Sequence, residues 1–300
     1  MEERRGEGKL VVERAGGKSR VTTCFSKYPL KFIVPSKVGP SSTDAVWIYT
    51  LTYGGGIVSG DSISCEIVVG DGCTAVLTTQ ASTKVYKAIE LRCSQQSLEA
   101  RVGRDALLAV IPDPVTCFST ARYSQKQVFH VLSDSNLVIV DWITSGRHQS
   151  GEKWDFELYK STNHILTGDD DQPIFLDSIL LEQGSISPIV ELMHGYQVMG
   201  MLILFGPKLK EIRTQVQQNV REIMSGKLHM SYTTSSGAKQ RPNSDGHMTK
   251  PSLVVSSSMF GTKGTGLVVR IAAMTTESVY KFLNQQLAGL EPYIGVPPYH

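Results

Sequence analysis

Gly54-Gly55-Gly56-Ile57-Val58-Ser59-Gly60-Asp61-Ser62-Ile63-Ser64-Cys65-Glu66-Ile67-Val68-Val69 is the stretch on which the fold turns. Its first half asks for a backbone that residues with a Cβ follow poorly, because glycine alone enters φ > 0 cheaply and lets a second chain come close. Its second half alternates. Ile63, Cys65, Ile67 and Val69 share one face of a strand, with mostly polar residues opposite. A dinucleotide or Walker loop needs a helix after its glycines, or a closing Gly-Lys-Ser/Thr, so that phosphates meet a helix N-terminus. Here a strand follows and no such closure exists. The glycines therefore read as a tight corner between strands that delivers Asp61 to a fixed place.

Outward from this corner the period of two persists. Asp71-Gly72 supplies turn chemistry before the apolar run within 74–79. Further strands are expected over 28–34, 46–53, 97–102, 107–111, 124–132, 137–143, 174–181, 197–205, 252–257 and 266–272. Short strands separated by Gly, Asp, Asn and Pro turns indicate a sandwich, barrel or solenoid. No internal repeat is visible, so the pattern alone does not select the solenoid. Two segments change period. Leu209, Ile212, Val216, Val220 and Ile223 mark a helix over 208–224, fenced by Pro207 and Gly226. Val279, Phe282, Leu283 and Leu287 mark another over 276–290. Residues 232–250 are too polar to pack and read as a mobile loop. Residues 1–20 and 292–300 read as flexible ends, the latter fraying or docking on a partner.

Composition narrows the function classes. The 300 residues are 41% hydrophobic and 19% charged, with a net charge of +2, which suits a soluble globular protein. Near-neutrality gives no ground for nucleic-acid or membrane-surface binding. The longest apolar run, 198–205, is too short to cross a bilayer, and the charged N-terminus lacks a secretory apolar segment. A cytoplasmic protein is expected. The five cysteines are odd in number, widely spaced and without a Cys-x-x-Cys pair, so they read as reduced, mostly buried thiols. No Gly-x-Ser-x-Gly or His-Glu-x-x-His occurs among the scattered histidines, and an enzyme is not expected.

Three other blocks stand out. Leu77-Thr78-Thr79-Gln80-Ala81-Ser82-Thr83-Lys84-Val85-Tyr86 offers hydroxyls that either cap a turn or line a polar passage. Ile111-Pro112-Asp113-Pro114 fixes its backbone with two prolines and excludes a central strand there. Ser145-Gly146-Arg147 followed by Gly151-Glu152 sets an arginine and a glutamate to pair across a hairpin, or to act at a site.

In this order, together with Tyr28-Pro29-Leu30-Lys31 and Ile174-Phe175-Leu176-Asp177, these blocks resemble the UreD (UreH) family of urease accessory proteins over about residues 20 to 290. The resemblance implies one UreD-type domain over 1–300, mostly β, with stacked β-layers in a helical solenoid-like arrangement and two α-helices. It implies a chaperone of metallocentre assembly that works with UreF and the GTPase UreG on apo-urease to assist nickel insertion, through a polar internal route or, alternatively, as a metal-free scaffold. No tightly bound cofactor is implied; nickel is cargo in transit. Cargo needs weak, exchangeable oxygen donors, and Asp61, Thr78, Thr79, Ser82, Asp141, Glu152 and Asp177 stand at strand ends where they would serve. Asp61 and Glu152, inside matched blocks and beside glycines, come first.

Overall fold

From Ala45 to Thr167 the chain repeats one move: a strand in one sheet, a corner, then a strand in the other. In the computed structural model, which describes residues 5–40, 42–168, 170–184, 187–226 and 250–299, the rungs are Ala45–Thr52 with Ser62–Val69, Thr74–Thr79 with Ser94–Val102, Leu107–Val110 with Arg122–Val131, and Asn136–Thr144 with Leu158–Thr167. Successive rungs pair in parallel within each sheet, so the chain winds in one sense as a flattened solenoid. Parallel neighbours need a long crossover, and here the strand in the opposite sheet supplies it. In register, Ala45 meets Thr74, Thr74 meets Leu107 and Leu107 meets Asn136. The offsets are therefore 29, 33 and 29 residues, and this drift hides the repeat from the sequence.

One sheet has seven strands, from Lys18–Ser26 at one edge to Gln172–Glu182 at the other. The second has ten and runs from Leu30–Ile33 to Leu253–Phe260, with the short strands Thr83–Val85 and Val115–Cys117 beside its main path. The alternation at 62–69 behaves as expected, with Ile63, Cys65, Ile67 and Val69 buried between the sheets. Strand Asn136–Thr144 is buried on both faces. Leu137, Ile139 and Ile143 enter the inter-sheet core, while Val138, Val140 and Trp142 enter a second core under the helices. Helices Lys210–Met224 and Thr276–Leu287 close that second core with Ile212, Val216, Val220, Val279, Phe282 and Leu287. Thr275 caps the latter, accepting from the Ser278 amide at 3.2 Å.

Several features differ from the sequence reading. The first twenty residues are not a loose end where they are described: Arg5–Ala15 pairs in parallel with Ser62–Val69 and antiparallel with Lys18–Ser26. Two of its core-facing positions are glycines, and a Cβ at Gly8 would meet Leu30 at 2.5 Å; Lys18–Ser26 is largely exposed. The apolar face of Arg5–Ala15 is thus reduced to Leu10 and Val12, and Lys18–Ser26 carries no apolar stripe. The C-terminal segment forms the short helix Glu291–Ile294, whose Ile294 carbonyl accepts from the Trp47 indole at 2.8 Å, and Tyr299 reaches the Pro112 carbonyl at 3.2 Å. A second single-turn helix, Ile189–Leu192, was also not expected. Of the expected loop over 232–250, residues 232–249 lie outside the described residues. No described helix is long and apolar enough to cross a membrane.

Candidate functional site

The inter-sheet core is interrupted by a polar stretch. A cavity of about 260 Å³ opens beside Gly55, Gly56 and the hydroxyl block Thr79 to Lys84, and runs inward to Gln96, Tyr123, Gln125 and Asp141. The glycines shape its rim. Gly56 packs so closely that a Cβ would lie 2.6 Å from the Lys84 carbonyl, and Ile57 and Val85 join there in a parallel bridge. Its lining is mostly apolar, with polar groups gathered at the mouth and around Asp141, and it is large enough to hold several waters.

Asp141 is its buried end. It follows Ile139 on the face of Asn136–Thr144 that looks across to the seven-stranded sheet, and three donors from that sheet converge on it. Gln125 Nε2 donates to Oδ1 at 2.7 Å; Ser161 Oγ and Asn163 Nδ2 donate to Oδ2 at 2.5 and 2.7 Å. Gln125 also reaches Ser161 Oγ at 2.9 Å, and the Tyr123 hydroxyl donates to Gln96 at 2.8 Å. Burial pushes the Asp141 carboxyl above its ordinary value, the three hydrogen bonds oppose that push, and the charge of Asp177 adds to it. The network is arranged for a carboxylate, while its surroundings disfavour the charge.

The polar line continues past Asp141. Asn163 stands in register with Asp177 on the edge strand Gln172–Glu182, so the two side chains share a face as close neighbours. Asp177 Oδ1 accepts from Arg270 at 2.6 Å, and its buried Oδ2 has no hydrogen-bond partner. Arg270 is in register with Met201, which is in register with Asp141.

The residues expected from sequence fall into two groups. Thr78, Thr79 and Ser82 line the cavity. Thr78 Oγ1 donates to the Ile111 carbonyl at 2.8 Å, and Thr79 Oγ1 accepts from the Asp113 amide at 2.9 Å. Asp177 lies outside the lining, on the edge strand in register with Asn163. Asp61 and Glu152 lie outside the cavity lining. Asp61 is buried at the end of the glycine corner, where Oδ2 accepts from the Val58 amide at 2.8 Å. Glu152 accepts from Arg147 Nε at 3.1 Å and from a terminal guanidinium nitrogen, and the guanidinium lies 4.1 Å from the Phe118 ring centre. The hydrogen bonds from Arg147 hold the Glu152 carboxyl below its ordinary range. Among the described residues no three His, Cys, Asp or Glu side chains cluster closely enough to hold a metal ion.

A sequence profile described as "UreD urease accessory protein" matches residues 4–300. The chain belongs to the UreD family. It is 64% identical over 292 residues to urease accessory protein D of Arabidopsis thaliana, covering 97% of this chain and 99% of that protein. Urease accessory protein D of Oryza sativa subsp. japonica is 58% identical over 97% of this chain and 94% of its own length. A bacterial relative, urease accessory protein UreD of Anaeromyxobacter sp., is 32% identical over 99% of this chain and 89% of its own length. In this UreD-family chain, sequence reasoning missed Gln125, Ser161 and Asn163. Polar residues at core-facing positions look like solvent-facing ones, and only the register of the two sheets aims them at Asp141.

Proposed function

We propose that this UreD-family chain assists nickel insertion into apo-urease, acting with UreF and the GTPase UreG, and that its polar interior is the route the metal takes. The reading is of a cytoplasmic, non-enzymatic maturation factor. It rests on one observation above all: a buried carboxylate held by three convergent donors, at the inner end of a cavity, with the unpaired Asp177 Oδ2 next along the line. A cation at this place would relieve the desolvation of Asp141 and satisfy Asp177. Carboxylate, amide and hydroxyl oxygens are hard, weakly competing donors for Ni²⁺, so a metal passing among them is released readily, unlike one held by thiolate or imidazole. Thr78, Thr79 and Ser82 supply the same donor class at the mouth, and Asp61 and Glu152 fix the corners on either side.

The test is reconstitution of apo-urease activation with UreF, UreG and Ni²⁺, with and without this chain. Activation that is equal in its absence overturns the maturation role. Chain-dependent activation with normal nickel loading by Asp141→Asn overturns the internal route and leaves the scaffold.

A further inference from the structure

Asp113, fixed between Pro112 and Pro114, is a carboxylate at the mouth of the cavity. Its Oδ1 accepts from the Tyr280 hydroxyl at 2.5 Å and its Oδ2 from Thr79 Oγ1 at 3.3 Å. No cation lies within ion-pair distance of it among the described residues. Beside it opens a cleft of about 400 Å³ lined by Trp47, Tyr49, Tyr280 and Tyr299. The polar atoms of three of these rings already have partners: Trp47 Nε1 the Ile294 carbonyl, Tyr280 the cleft's own Asp113, Tyr299 the Pro112 carbonyl. Trp142 packs edge-on against Tyr280 and Tyr299, with ring centres at 4.8 and 6.2 Å, and holds them in place. What the cleft presents is one negative charge among polar atoms and the borders of the rings, Trp47 itself being buried. That combination attracts an organic cation. It is a poor metal site, since aromatic rings offer no lone pairs and the carboxylate already accepts two hydroxyls.

The cleft shares Thr78, Thr79, Gln80 and Asp113 with the mouth of the polar cavity. A protein that sealed against that mouth would cover both. We infer that the cleft receives a lysine or arginine side chain of a protein partner seated over the cavity mouth, an inference that rests on the proposed hand-over of metal there. Charge complementarity and continuity with the mouth carry it.

The full chain is titrated with N-acetyl-lysine methylamide, N-acetyl-arginine methylamide and the neutral norleucine analogue, following tryptophan emission, to which Trp47 contributes. The basic analogues are expected to give a saturable change that weakens with salt, and the norleucine analogue none. Asp113→Asn and Tyr49→Ala, each checked for an unchanged melting temperature, should weaken that response about tenfold. Equal response to norleucine, or full response in Asp113→Asn, overturns the site. In the complex with UreF, UreG and apo-urease, a photo-crosslinker replacing the exposed Gln80 should capture a partner peptide containing Lys or Arg. Reversing that partner charge should weaken assembly in the wild-type background but not in Asp113→Asn. Assembly indifferent to both changes shows a pocket for free amines only and overturns the docking. Asp141→Asn should leave the titration unchanged, so loss of the nickel route and loss of the cleft are read separately.

Discussion

Replacing Asp141 separates the structural from the functional use of its charge. In Asp141→Asn one carboxylate oxygen becomes an NH₂ facing a donor. The least costly arrangement keeps the oxygen toward Ser161 and Asn163 and turns the amide nitrogen to Gln125. The Gln125 amide then flips to accept, and its own nitrogen meets the Tyr123 hydroxyl, which already donates to Gln96. The second N–H of the new amide and that of the flipped Gln125 turn toward the cavity and its water, and one buried charge is removed, so the stability change should stay within about 1 kcal/mol, on the favourable side. In Asp141→Leu the Ser161 hydroxyl loses its acceptor and Asn163 Nδ2 keeps only a 3.5 Å contact with Ser161. At about 1–3 kcal/mol for each stranded donor, the loss is about 2–6 kcal/mol. The pH dependence has a definite sign. A carboxyl raised in the folded state favours folding below its unfolded value, and this advantage is lost as pH rises through the folded value. The gain in Asp141→Asn should therefore be largest at neutral pH and shrink on acidification. Denaturant melts across pH, with nickel analysis of urease matured by each variant, read both effects. Asn costing more than about 2 kcal/mol at neutral pH would refute the network account, and normal nickel content would refute the route.

Other outcomes follow from local geometry. Gly56→Ala puts a Cβ 2.6 Å from a backbone carbonyl and should cost about 1–3 kcal/mol. Gly54→Ala, at φ +89 in open space, should cost about 1 kcal/mol from backbone strain alone; urea melts that reverse this order would contradict the corner. Because Arg147 depresses the Glu152 carboxyl, the pair's contribution, across the turn His148–Ser150, is complete above the ordinary value of 4.5 and lost as pH falls through the lower folded value. Glu152→Gln should flatten the acid limb of a stability–pH curve; an unchanged limb denies the pairing its weight. Thiol labelling at pH 8 should find Cys24 reactive in the native protein and Cys65 silent until unfolding, since burial pushes Cys65 up to about 12. Prompt labelling of Cys65 would show that the sheets open.

What could be read from the chain, and what could not, follows one physical divide. Where a strand has an apolar core face the period of two exposes it, as at Ser62–Val69, and the helices announce themselves in the same way through Ile212, Val216 and Val220 or Val279, Phe282 and Leu283. Leu158–Thr167 has Tyr159, Ser161, Asn163 and Ile165 toward the core; two of the four are polar, and the alternation disappears. The reason it disappears is the site itself. Ser161 and Asn163 face inward because Asp141 stands opposite, and a buried carboxylate without donors would cost far more than the apolar packing they replace. The glycine corner was legible as backbone geometry, and the mouth hydroxyls as a block of residue types. The inner half of the polar line was not, since it exists only when strand residues some 14 to 36 positions apart come together. A solenoid that carries polar groups through its core must weaken its own sequence signal at those positions. In such a fold, then, a gap in the strand pattern between well-marked rungs is where a buried polar site should be sought.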